Sequence, residues 1–311
     1  MKPQSPKNKM KKLIPITKNY IWGGHRLYDI LRLNGSGNSA VAEKIAEAWI
    51  CSFNADGENF TESGERIGFA CPKPTWGKAC EAFNEFPALI KLIDSDDNLS
   101  VQVHPTDEFA KRHEGMMGKS EMWYVVDCAE GAGIYLGFKR NTNRQECLRA
   151  VEDGSILDLL NYIPIKKGES YFVPAGTVHA IGAGCLLVEI QQNSNTTFRL
   201  FDYCRMDDQG NRRELHLEQA LSVLDFSQYT PIRFDDCLAR CEYFTVKKKD
   251  GAHTVFNDSS YTAVTVTDGF GMVSGRVAQC GDCFFVNAGE RVDISGNITV
   301  LETTTDCIAA D

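Results

Sequence analysis

Residues 168–182, GESYFVPAGTVHAIG, lie on residues 281–295, GDCFFVNAGERVDIS, at a constant offset of 113 and without a gap. The match pairs Gly168 with Gly281, Phe172 with Phe285, Val173 with Val286 and Ala175-Gly176 with Ala288-Gly289, and it carries on to Glu189 over Glu302. Two copies of one short-stranded unit in a single chain restrict the fold to architectures that repeat a β-motif. The copies differ where chemistry would show. His179 in the first becomes Val292 in the second, so a metal-capable side chain survives only in the first.

The rest of the sequence agrees with a β-rich fold. Short apolar runs recur between Gly, Asn, Asp and Pro: LSVQVH (99–104), MWYVV (122–126), SYFVPAG (170–176), CLLVEI (185–190), YTAVTVTDG (261–269), CFFVNAG (283–289) and ITVLET (298–303). Many short strands separated by turn residues predict a β-sandwich or barrel. Residues 143–163 and 213–226 instead carry apolar residues at helical spacing, so each predicts a helix or helix pair. A boundary between two units is expected within 227–240. This divides the chain into a basic, solvated tail over 1–12, a catalytic unit over 13–230 and a C-terminal unit over 231–311.

Charge narrows the partners. The formal net charge of −9 argues against nucleic acid, which is bound through clustered Lys and Arg. No run approaches the roughly 20 apolar residues of a spanning helix, and the first residues lead into no apolar signal core, so a cytoplasmic protein is expected. The 12 cysteines are dispersed, and the one CxxC pair, Cys280 with Cys283, lacks a second pair at zinc-ribbon spacing. They are read as reduced thiols.

Period-two alternation places Ser100, Gln102 and His104 on one face of their strand, and Lys119, Glu121 and Trp123 on one face of theirs. With His179 this makes two imidazoles and a carboxylate from three strands, a set suited to catalytic Zn²⁺. His25, His113, His216 and His253 have no such company and are read as ordinary polar residues.

The run of Gly, an acidic residue, an aromatic-apolar pair and PAGxxH at 168–179 resembles the second half of a cupin signature. The resemblance implies two cupin-type jelly-roll β-barrels with a few helices, the second barrel degenerate and without metal ligands. QVHP at Gln102–Pro105, KSE at Lys119–Glu121 and PAGTVH at Pro174–His179 further resemble the class I mannose-6-phosphate isomerases, in their short bacterial form. Downstream, EIQQNSNTTFRLFD (189–202) is similar to that family's E-x-Q-x-x-S-[DN]-x-T-x-R-x-[YF]-D stretch, and YIWGGHRL and KIAEAWICSF are similar to its W-G-G and E-x-W-x-x-S segments.

This resemblance implies a zinc-dependent aldose–ketose isomerase interconverting D-mannose 6-phosphate and D-fructose 6-phosphate through an enediol. One Zn²⁺ per chain would be held by His104, Glu121 and His179, with Gln102 either a fourth ligand or a group orienting His104. Arg199, placed by the motif, and Lys119 would be catalytic. Lys91, Ser100 and Glu189 would bind substrate, while Trp22 and Trp49 are read as packing residues. The general base stays open between a metal-activated hydroxide, Lys119, Glu189 and a histidine. A monomer or homodimer with a sugar-phosphate substrate is expected. The competing readings are a non-catalytic sugar-binding or regulatory cupin, and an isomerase of a non-phosphorylated sugar.

Overall fold

The computed structural model describes residues 10–31, 44–113, 116–206 and 210–306, and the architecture is mainly β, in three sheets. A six-stranded sheet runs in the order Ser170–Val173, Glu121–Cys128, Cys185–Gln192, Ala88–Ser95, Glu47–Cys51, Ile16–Lys18. A five-stranded sheet runs Phe198–Phe201, Val101–Val103, His179–Ile181, Gly133–Phe138, Leu160–Pro164. The third sheet, of nine strands, is built mainly from residues after 238. Ladders between these strands are antiparallel.

Residue parity decides which side chains face the interior. On the five-stranded sheet Val101, Val103, Val178, Ala180, Phe198 and Leu200 point outward, into a core shared with Cys147, Ala150, Val151, Ala220 and Leu221 of two covering helices. Each fully buried aliphatic or Phe side chain there contributes about 1.5–3 kcal/mol. The residues between them, Gln102, His179 and Arg199, are thereby turned inward.

The six-stranded sheet is apolar on its outer face too. Ile90, Leu92, Met122, Tyr124, Val188 and Ile190 join Val246, Phe285 and Leu301 of the nine-stranded sheet, and Phe244 and Tyr261 just before two of its strands, in one cluster. Ala88–Ser95 and Cys185–Gln192 are therefore buried at every position.

The helix pair expected within 143–163 forms, and three expectations are corrected. Residues 143–163 form a helix at Arg144–Glu152, capped by the Asn143 side chain, which accepts from the Glu146 amide at 3.0 Å, and a short one at Ile156–Leu159. Leu160–Pro164 is a strand paired with Gly133–Phe138, because an open sheet edge outweighs helical spacing over five residues. In 213–226 only Leu217–Val223 is helical. The basic tail ends early: Met10–Ile14 is a strand whose Met10 pairs with Val286, with Met10 and Leu13 buried and Lys12 paired to Asp282 at 2.9 Å. Residues 1–9 lie outside the described residues.

The repeat is visible in the backbone. Gly168 and Gly281 have φ of 90° and 91°, and Gly176 and Gly289 have 86° and 75°. Val173 stands opposite Glu121 in its ladder, and Val286 stands opposite Thr262 in the same relation. Val292 is 1% exposed within an apolar cluster containing Val264, Phe284 and Val300. Among the described residues no helix is long and apolar enough to cross a membrane.

Candidate active site

Two rows of side chains, one on each of the smaller sheets, face each other. Strand register makes Trp49 the partner of Lys91, Lys91 of Glu189 and Glu189 of Trp123, so the four lie in line across adjacent strands of the six-stranded sheet. On the opposing sheet Arg199 is the partner of Gln102 and Gln102 of His179. Such rows exist only because these strands pair in this register.

Between the sheets His104, Glu121 and His179, all buried, offer three ligand atoms within 4.8 Å of one another. Each imidazole is fixed through its other nitrogen: His104 Nδ1 donates to the Thr196 carbonyl at 2.9 Å and His179 Nδ1 to the Thr177 carbonyl at 2.8 Å. The two Nε2 atoms are thus left as acceptors, aimed at Glu121 from 3.3 and 3.4 Å. His104 Nε2 and both Glu121 oxygens have no hydrogen-bond partner. Buried lone pairs converging from two imidazoles and a carboxylate fit a cation.

Electrostatics prepare the same set. Burial, assisted by the Lys119 charge, pushes His104 down to about 3, and burial also lowers His179. For Glu121 burial acts the other way, but Lys119 and the imidazoles outweigh it and hold the carboxyl well below its ordinary range. Neutral imidazoles with an ionised carboxylate are the forms that ligate a metal.

A chain of alternating charge leads away from this triangle. Lys119 Nζ is 3.0 Å from Glu121 Oε2, though not aligned for a hydrogen bond, and 3.8 Å from Glu189 Oε1. Lys91 Nζ is 3.6 Å from Glu189 Oε1 and 3.5 Å from Glu47 Oε2. Indole N–H groups fix the carboxylates, Trp123 donating to Glu189 at 3.0 Å and Trp49 to Glu47 at 2.8 Å. Burial opposes the charge on Lys91, yet Glu47, Glu189 and Glu121 raise its pKa above the ordinary value. Glu189 is raised as well, by burial and by Glu121, against the pull of Lys119 and Lys91.

Lys91, Ser100, Gln102, Lys119, Glu189 and Arg199 line a single cavity of about 420 Å³, within the size range of small-molecule sites. Ser100 Oγ donates to Gln102 Oε1 at 3.3 Å, and the Gln102 amide nitrogen lies 3.3 Å from His179 Nε2. Arg199 Nη1 donates to the Glu214 carbonyl at 2.8 Å, and its buried Nε has no partner.

The cavity also contains residues that sequence reasoning missed. Glu47 shares its face with Trp49 two residues on, a parity signal that was available. Both Trp22 and Trp49 are buried as expected, but they form cavity wall as well. Asn195 and Thr197 sit inside the motif that carries Arg199. Lys18, Tyr20, Asp56 and Arg213 left no sequence signal. The remaining histidines stay clear of the triangle: His216 Nδ1 accepts from the Arg199 amide at 3.2 Å, His113 bonds the Phe109 carbonyl and His253 faces Glu302.

Fold and site together define a mainly β protein built to hold a metal ion beside a cavity for a small polar ligand. The family model "Phosphomannose isomerase type I, catalytic domain" matches residues 10–131. Mannose-6-phosphate isomerase ManA of Bacillus subtilis is 36% identical over 282 residues, 84% of this chain and 87% of its own. The crystal structure of the mannose 6-phosphate isomerase from Bacillus subtilis superposes with a TM-score of 0.83 at 30% identity, covering 95% of this chain and 99% of that one. A mannose 6-phosphate isomerase bound with zinc and yttrium shares the fold, with a TM-score of 0.72 at 15% identity over 96% of this chain and 100% of that one. The chain belongs to the type I phosphomannose isomerase family.

Proposed function

We propose that this protein interconverts D-mannose 6-phosphate and D-fructose 6-phosphate, with one Zn²⁺ per chain held by His104, Glu121 and His179, and with the Gln102 amide beside His179 as a group that orients the site. One observation carries the reading: a buried ligand triangle with unsatisfied lone pairs lies directly behind a cavity wall, with Gln102 of the lining in register with His179 and Lys119 of the lining 3.0 Å from Glu121, and Glu189 and Arg199 face the same cavity. When bound, zinc supplies Lewis-acid stabilisation of a substrate oxygen.

Isomerisation moves a proton from C2 of the aldose to C1, while O1 gains a hydroxyl proton and O2 gives one up; no external oxidant or reductant enters. Lys119 and Glu189 face each other across 3.8 Å, one a cation and the other a carboxylate whose proton affinity burial has raised, a pairing suited to carry that proton. Arg199, next to Gln102 in register and in the cavity wall, sets its guanidinium charge against the negative charge developing on the enediol oxygens. Lys91 and Ser100 hold the sugar hydroxyls. Buried tryptophans keep bulk water from the walls.

The nine-stranded sheet reads as the second, degenerate barrel of a chain divided near residue 230, with Met10–Ile14 and Phe60–Thr61 crossing that division to join it. Val292 stands at the position of His179 and Thr262 at that of Glu121, and apolar side chains fill the space between.

The test is a coupled assay of the purified protein with mannose 6-phosphate, before and after chelation and again with zinc restored. Metal-dependent appearance of fructose 6-phosphate is expected. Sugar binding without turnover in the zinc-loaded protein would replace this reading with that of a sugar-binding cupin.

A further inference from the structure

The cavity carries two sets of cations, and they are not equivalent. Lys91 and Lys119 are buried among Glu47, Glu189 and Glu121, three carboxylates to two ammonium groups. Arg199 and Arg213 share the lining with Lys18, and their anchoring differs. Arg213 Nε donates to Asp202 Oδ2 at 2.8 Å and Nη2 to Asp202 Oδ1, a two-point grip by a carboxylate that is only 5% exposed. Asp202 must also serve Arg205, 2.6 Å away. Among the described residues, Arg199 has a backbone carbonyl and no carboxylate on its guanidinium. Arg213 and Arg205 therefore share one carboxylate, with Asp97 as a further partner of Arg205. Burial lowers the Arg199 pKa, and repulsion from these two guanidinium groups lowers it further.

Position along the cavity follows from the chain. Arg199 is beside Gln102, at the metal end, and it holds the carbonyl of Glu214. Arg213 is one residue removed from that anchor. Its side chain is 26% exposed, against 6% and 7% for Lys119 and Lys91, which puts Arg213 nearer the mouth. A hexose 6-phosphate reacts at C1 and C2 and carries its charge at the far end of the carbon chain. Its phosphoryl group must therefore lie away from the triangle.

We infer that Arg213, locked by Asp202, is the seat of the substrate's phosphoryl group, so that the inner lysines serve the sugar and the mouth arginine the phosphate. The inference rests on the sugar-phosphate isomerase reading above. Fixed on one edge by Asp202, the guanidinium keeps Nη1 available for a phosphate oxygen, and the planar fork is pre-organised for it. Asp202 is a positioning residue.

The test compares zinc-loaded wild-type, Arg213→Ala and Arg213→Lys proteins by calorimetric titration with inorganic phosphate and with mannose 6-phosphate, alongside turnover of mannose 6-phosphate and of unphosphorylated mannose. Arg213→Ala is expected to weaken phosphate binding and raise KM for mannose 6-phosphate about tenfold or more, with kcat and the activity on mannose held within about twofold. Arg213→Lys should recover part of the loss, since it restores charge without the fork. Equal phosphate affinity in all three proteins, no phosphate binding by the wild type, or an equal loss on both sugars would overturn the assignment. Phosphate binding that depends on Arg213 without any isomerisation would uphold the seat and reject the isomerase reading.

Discussion

Lys119 Nζ lies 3.0 Å from Oε2 of Glu121, two residues along the chain, and both side chains are buried. The contact places a cation against a carboxylate that is free of hydrogen bonds and available to the metal. Replacing Lys119 with Met removes the cation but leaves the two imidazoles and the carboxylate. Turnover is expected to fall by about 10²–10³-fold, while metal content, measured by mass spectrometry, stays at the wild-type level. Parallel loss of metal and activity would make Lys119 a structural support of the site instead.

His104→Ala and His179→Ala each remove one ligand from the triangle. Both variants should lose most of their zinc and nearly all turnover, and a chelator should lower the melting temperature of the wild type but hardly that of the variants, because only the wild type has bound metal to lose. Full zinc occupancy in either variant would refute the ligand assignment.

Arg199→Ala keeps the ligand set intact. It is expected to cut kcat by about 10²-fold or more with zinc still bound. Near-normal turnover would show that the enediol charge is stabilised elsewhere.

Val292→His restores, in the second copy, the residue type that the first copy carries at position 179. With Thr262 where Glu121 would be and apolar neighbours around it, the new imidazole finds no carboxylate. Burial without a partner should cost about 1–3 kcal/mol in a denaturant titration, and zinc should remain at one per chain. A second equivalent of zinc would mean that the second copy is still a competent site.

Buried thiols give the pH dependence of stability. Burial raises Cys71 from an ordinary 9.0 to about 12 and Cys147 and Cys185 to about 11. Above pH 9 the unfolded chain releases these protons and the folded chain retains them. The unfolded state is thereby favoured, and stability falls as pH rises from about 9 towards 11–12. Urea midpoints at pH 8 and pH 10 should show the decline, and Cys71→Ala should reduce it. A midpoint unchanged between the two would contradict the burial of these thiols.

Local pattern was enough for part of this protein. Alternation put Gln102 with His104 and Lys119 with Glu121 on single strand faces, and the 113-residue repeat pointed to Val292 as the lost counterpart of His179. Those relations span a few residues, or follow from copying one segment, so they are written along the chain. Tertiary structure decided the remainder. The row Trp49–Lys91–Glu189–Trp123 depends on the pairing register of four strands far apart in sequence, which alternation within each strand cannot specify. Leu160–Pro164 gave up helical spacing for a sheet edge, and Met10–Ile14 left the expected tail to join the C-terminal sheet, because each had backbone hydrogen bonds to gain from a distant partner. Glu47, Tyr20 and Arg213 became cavity residues for a related reason. A cavity is bounded by whatever two packed sheets and their loops bring to its rim, and only the packing determines which residues those are.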